Sequence, residues 1–136
     1  IGDSLPLLMV LDAKIIIDGK NGKKTIPINN FFIGYRKTKL KQGDFIYSVK
    51  IPILKYNIFK AYKISKRFDD DISSVCGSFN LEINKNHIKR AKIAFGGMSE
   101  VPKRAIKTEK ILINSEFSEK IFDKAKIQAR RSCNQK

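Results

Sequence analysis

Apolar and polar positions alternate along much of the chain, and the breaks in the alternation carry turn residues. Ser4 and Pro6 stand ahead of an apolar run that ends at Leu11. Serine as a cap and proline in the first turn predict a short helix there. Lys14, Ile15, Ile16, Ile17 and Asp18 form a β-branched run that predicts a strand. Gly19-Lys20-Asn21-Gly22 is a hairpin turn signal, and residues 23–28 give the return strand. Asn29 and Asn30 interrupt before the aromatic run Phe31, Phe32 and Tyr35. Phe45, Tyr47, Val49 and Ile51 alternate with Ile46, Ser48 and Lys50, a period of two that predicts a half-buried strand closed by Pro52.

Residues 56–64 are aromatic and β-branched and predict a further strand. Lys66 to Asp71 breaks the pattern as an exposed acidic loop, with an aspartate able to cap a helical turn. Residues 75–83 place Phe79, Leu81 and Ile83 on one strand face, Asn84 to Asn86 turn the chain, and residues 88–95 return it to Gly96-Gly97. Ser99 and Pro102 predict a helix reaching Leu112. Ser115 predicts another, with Glu116 and Glu119 in its first turn and an apolar stripe of Phe117, Ile121, Phe122 and Ala125. Strands followed by helices predict an α+β fold: an antiparallel sheet with C-terminal helices. A boundary falls at residues 53–56, and the segment before it is too short to hold a core alone.

Composition narrows the classes. With 42% hydrophobic and 30% charged residues in a chain of 136, one packed globular unit is expected rather than a disordered chain. No stretch approaches the ~20 uninterrupted apolar residues of a membrane helix, and the apolar start lacks the basic flank of a signal peptide. The first residue is not Met, so the sequence is expected to begin inside a longer protein. The formal charge of +15 raises a second reading, a basic nucleic-acid-binding α+β module with steeply salt-dependent binding. Against it, the lysines are spread from Lys14 to Lys136 and arginine, the better fork for phosphate and base edges, is sparse. Cys76 and Cys133 lie far apart and form no C-x-x-C, which argues against zinc, iron–sulfur or disulfide frameworks and for a reducing, cytoplasmic setting. His87 sits in a turn and is expected to have no role beyond the surface.

Four stretches carry a family resemblance. They are Ile1-Gly2-Asp3-Ser4-Leu5-Pro6; Phe31-Phe32-Ile33-Gly34-Tyr35-Arg36-Lys37-Thr38-Lys39-Leu40; Lys63-Ile64-Ser65-Lys66-Arg67-Phe68-Asp69-Asp70-Asp71-Ile72-Ser73; and Ala94-Phe95-Gly96-Gly97-Met98 with Pro102-Lys103-Arg104-Ala105. The chain resembles the C-terminal part of the FAD-binding subunit of the molybdenum hydroxylases, xanthine dehydrogenase in particular. The second stretch matches the family's F-F-x-G-Y-R-K-T-x-L run and is the most specific. The resemblance implies that residues 1–54 are the tail of a FAD-binding α+β domain. It implies that residues 55–136 are a truncated domain like the C-terminal one of CO dehydrogenase flavoproteins. Neither of the family's two glycine-rich pyrophosphate loops is present, and the final residues, Arg130 to Lys136, resemble nothing in the family.

What the family does is implied on the same terms. It is an oxidoreductase subunit in which FAD passes electrons from iron–sulfur clusters to NAD. Purine hydroxylation takes place at a molybdopterin centre on a partner chain or domain. The fragment would be inactive alone and colourless or weakly coloured, and its exposed sheet could pair it with a second copy. Asp3 resembles an aspartate that accepts hydrogen bonds from the cofactor's hydroxyls; its pattern alone reads as a helix cap. Ile46 matches an aliphatic position beside the isoalloxazine; its pattern alone reads as a core strand residue. Lys63 matches a lysine at the flavin's pyrimidine end, where a cation stabilises the anionic reduced ring; its pattern alone reads as one more solvated lysine. Asp69 and Asp70, with Asp71, match the loop over the flavin's exposed face. Three adjacent carboxylates also suggest a metal site, but no partner follows at a metal-ligand spacing, and a capping loop is the plain reading. No catalytic residue is expected in this segment.

Overall fold

The computed structural model describes residues 2–54, 57–67 and 72–134. The elements run α1 (Ser4–Val10), β1 (Lys14–Asp18), β2 (Lys24–Pro27), a 3-10 turn (Ile28–Asn30), β3 (Phe32–Gly34), β4 (Lys37–Thr38) and β5 (Phe45–Lys50). They continue with β6 (Asn57–Ser65), β7 (Ser73–Asn84), β8 (His87–Gly96), β9 (Lys103–Arg104), α2 (Ile106–Leu112) and α3 (Glu119–Asn134). Among the described residues every strand pairing is antiparallel, in a three-stranded sheet β2-β1-β5, a small β3-β4 hairpin and a four-stranded sheet β6-β7-β8-β9. This is the expected α+β class with helices at the C-terminal end. Among the described residues no helix is long and apolar enough to cross a membrane.

The larger sheet organises the molecule because its two faces read different residues. Opposed pairs Cys76–Gly96, Ser78–Ala94 and Asn80–Lys92 share one face, and Gly77–Phe95, Phe79–Ile93 and Leu81–Ala91 share the other. The first face is small and polar and takes α1. Pro6, Met9 and Val10 are buried there, the Asn80 side-chain amide donates to the Val10 carbonyl at 2.8 Å, and Lys92 pairs with Asp12. The second face is apolar and takes α2 and α3, with Leu112 and Ala125 buried against Leu81, Ile88, Ala91 and Ile93. A second core joins α1 to the three-stranded sheet through Met9, Val10, Ala13, Ile15, Ile17, Ile28 and Phe31, with Ala94 of β8 at its edge.

Glycine suits the tight contacts at the end of β8. A side chain at Gly96 would lie 3.1 Å from Pro6 of α1. Gly97 has φ +87°, and a Cβ there would stand 2.3 Å from the Ser74 carbonyl oxygen.

Several expectations are corrected. The helix expected from Ser99 and Pro102 begins only at Ile106. Lys103 and Arg104 instead pair with Phe95 and Ala94, which satisfies the otherwise open edge of β8. The helix expected from Ser115 begins at Glu119, because residues 115–117 are drawn into the mouth of the β7–β8 hairpin. Ile88 donates its N–H to Ser115 at 2.9 Å, and Phe117 donates to Asn86 at 2.8 Å. The strand expected to be half-buried is exposed at Phe45, Ile46, Tyr47 and Val49. Among the described residues it is the edge of its sheet, paired with β1 alone. The 3-10 turn and the β3-β4 hairpin, where Arg36 takes φ 54°, carried no signal strong enough to predict.

Candidate functional site

Asp3 stands at the N-cap position of α1, yet its side chain makes no capping hydrogen bond. Its carboxylate turns away from the helix and meets the Lys63 ammonium, Oδ2 to Nζ, at 3.2 Å. Lys63 reaches that point because β6 pairs it with Cys76 on the face that α1 covers. Cys76 in turn donates its Sγ–H to the Asp3 backbone carbonyl at 3.3 Å. The buried Ser73 hydroxyl faces the carboxylate and is the largest influence holding the Asp3 pKa below its usual value, with Lys63 next among the favourable ones and burial acting against them. That hydroxyl makes no hydrogen bond of regular geometry.

Four side chains thus converge: Asp3, Lys63, Ser73 and Cys76. The carboxylate and ammonium remain about two-fifths exposed, so each has a solvent side open to a further partner. The Cys76 thiol is buried and free; burial first, and the Asp3 charge second, push its pKa up. It is held as a thiol, which makes it a poor nucleophile. The cluster can bind: an ionised carboxylate accepts O–H donors, and an ammonium balances developing negative charge.

The other expected positions are less collected. Ile46 lies on β5 opposite Ile17, whose side chain belongs to the α1 core, so Ile46 faces the same side of its sheet as α1. It is 47% exposed, so the plain reading of a core residue fails. It stands on the three-stranded sheet rather than with Lys63 on the four-stranded one. Asp69, Asp70 and Asp71 lie outside the described residues. Among the described residues no group of three His, Cys, Asp or Glu side chains gathers as a metal site. His87 is exposed and contacts the Lys85 carbonyl at 3.1 Å.

Ser73 and Cys76 were missed by sequence reasoning. The one usable signal was the β6–β7 register, which sets Cys76 opposite Lys63. Register cannot be read across a loop whose length is not fixed by a tight turn.

Known proteins extend this geometry. Residues 1–54 match the FAD binding domain in molybdopterin dehydrogenase, and residues 60–135 match the CO dehydrogenase flavoprotein C-terminal domain. The chain is 35% identical over 130 residues to xanthine dehydrogenase of Oryza sativa subsp. japonica, covering 91% of this chain and 10% of that protein. It is 36% identical over 118 residues to a nicotinate hydroxylase of Emericella nidulans, covering 82% of this chain and 9% of that protein. The chain therefore spans about a tenth of the length of these relatives. Its fold superposes on the carbon monoxide dehydrogenase from Hydrogenophaga pseudoflava with a TM-score of 0.89 at 19% identity, over 96% of this chain and 45% of that one. The chain belongs to the flavoprotein family of the molybdenum hydroxylases.

Proposed function

We propose that these residues form the C-terminal portion of the flavin subunit of a xanthine dehydrogenase-type enzyme. In this reading residues 1–54 complete the FAD domain and residues 55–136 form the small domain that backs it. The observation that carries it is the Asp3–Lys63 pair at 3.2 Å, which spans the two matched regions and keeps a solvent side on each group.

The residues present fit one end of a flavin. Asp3 would accept hydrogen bonds from ribityl or ribose hydroxyls, and the carboxylate, held ionised, suits that task. Lys63 would sit by the pyrimidine edge, and exposed Ile46 would pack by the ring. Asp69 and Asp70 would border its open face and disfavour extra negative charge there. The pyrophosphate would be held by residues other than these. The flavin, when bound, would take electrons one at a time from iron–sulfur clusters and pass two together, as a hydride, to NAD. The side chains here orient the group and set the field around it.

The substrate is read as a purine, hydroxylated at a molybdopterin centre outside this segment, in the cytoplasm. The similarity to a xanthine dehydrogenase supports that reading, and the similar identity to a nicotinate hydroxylase marks the competing heteroaromatic substrate.

The test places these residues in the matching segment of the rice xanthine dehydrogenase. The chimera should carry flavin and oxidise xanthine with NAD. Asp3→Ala and Lys63→Met should each release most of the flavin while molybdenum and iron–sulfur content stay full. A chimera with full metal content and tightly held FAD in both variants would overturn the site. One that takes up no FAD at all would overturn the function.

A further inference from the structure

The β6–β7 ladder is irregular at its end near Asp3. Ile64 stands opposite Val75 but Ser65 stands opposite Ser73, so the register skips Ser74. That is a β-bulge, with one extra residue on β7. Side chains alternate along a strand, so an unbroken register would put Ser74 on the face that Cys76 and Lys63 share. The bulge puts Ser73 there instead, opposite Ser65 and so two positions along β6 from Lys63. Exposure follows the same rule: Ser73 is 2% exposed, while Ser74 is open to solvent. Gly97 makes room for the extra residue, since a Cβ at that position would collide with the Ser74 carbonyl oxygen.

The hydroxyl placed this way lacks any other use. The Ser73 Oγ is shielded from water and makes no hydrogen bond of regular geometry. Such a group costs free energy unless an acceptor is at hand. Ser65 across the ladder donates its own hydroxyl to the Arg67 carbonyl at 2.7 Å. The acceptor that Ser73 faces is the Asp3 carboxylate. No capping bond directs that carboxylate, and its ion-pair partner Lys63 is half-exposed on a long, flexible stem. A serine has one heavy-atom torsion, and burial on a strand restricts it further. Ser73 is therefore the partner able to set a direction. Its contact comes from the buried side, which leaves the solvent side of the carboxylate open.

We propose that Ser73 is a positioning residue for Asp3: the bulge at Ser74 delivers a buried O–H donor to the inner side of the carboxylate and fixes how its outer side meets the cofactor's hydroxyls. The inference rests on the flavin reading of Asp3, and in it Ser73 acts through Asp3 alone.

Two measurements test it. In the 136-residue chain, the Asp3 carboxyl is titrated by carbon-13 NMR, with its signal assigned by its loss in Asp3→Asn. Ser73→Ala should raise the Asp3 midpoint toward the ordinary 3.8. Ser78→Ala, which removes another buried, unpartnered hydroxyl from the same strand face, should leave it in place. An unmoved midpoint in Ser73→Ala overturns the proposal. In the rice xanthine dehydrogenase chimera, Ser73→Ala should raise the FAD dissociation constant about tenfold, with Ser78→Ala at the parental value. Once Asp3 is alanine, Ser73→Ala should change that constant no further. Equal losses with and without the Asp3 carboxylate would reveal a merely structural role and overturn the proposal. A chimera that holds FAD equally well after Ser73→Ala overturns this proposal alone, whereas one that takes up no FAD overturns the flavin reading beneath it.

Discussion

The Asp3 carboxylate lies 3.2 Å from the Lys63 ammonium, so the N-cap residue of α1 is tied to β6 rather than to its own helix. A carboxylate at an N-cap ordinarily bonds the free N–H groups of the first turn. Here that bonding is given up, and the charge is presented at the surface beside a cation.

The pH dependence of this pair has a definite direction. Asp3 titrates below its ordinary value of 3.8 in the folded chain. Its contribution to stability is therefore complete above that ordinary value and is lost as pH falls through the lowered one. Both groups are half-exposed, so the contribution should be about 0.2–1 kcal/mol and should shrink with added salt. Urea midpoints of the parent chain and Asp3→Asn should differ slightly at neutral pH and converge on acidification. A gap that widens with acid would mean the carboxylate is not stabilised as described.

Asn80 tests how α1 is fixed to the sheet. Its amide, almost fully buried, donates to the Val10 carbonyl at 2.8 Å, one of the carbonyls left without a partner at the helix end. Asn80→Ala should cost about 1–3 kcal/mol, the usual penalty for leaving a buried acceptor unpaired. Chemical denaturation should show a lower midpoint with an unchanged slope. An exposed change on the same sheet, such as Lys60→Ala, should leave the midpoint nearly in place.

The alternation of Phe79 and Leu81, and the turn at Asn84–Asn86, made the central hairpin legible, because a period of two and a tight turn are local signals. The α1–β1–β2 unit was legible from other local signals: a proline in the first helical turn, a β-branched run and a glycine-bearing turn. The start of α2 was not. Lys103 and Arg104 are good helix formers, and what makes them a strand is the unpaired edge of β8, a partner distant in sequence. Of the candidate site, Asp3 and Lys63 were found by family motif alone, since one aspartate and one lysine in a lysine-rich chain carry no pattern. Their meeting depends on the packing of α1 against β7 and on the β6–β7 register, both long-range. Ile46 was legible as a strand residue, but its exposure depends on β5 being an edge.

The ion pair beneath α2 gives the largest expected stability effect. Glu109 is 3% exposed. It accepts from the Ile93 backbone N–H at 2.9 Å and from Arg104 at Nε, 2.9 Å, and Nη2, 2.6 Å. One carboxylate thereby holds a strand amide, a β9 guanidinium and its own helix together. Removing it strands a partly buried cation and an unpaired amide, so Glu109→Ala should cost about 3–5 kcal/mol. Replacing both partners removes the stranded charge, so Glu109→Leu with Arg104→Met should be less destabilised than Glu109→Ala alone. Glu109→Gln, which keeps an acceptor for Ile93 but loses the charge, should fall between the parent and Glu109→Ala. Denaturant midpoints for the four chains decide it. If the double variant is the least stable of the set, the pair contributes net stability rather than mainly neutralising a buried charge.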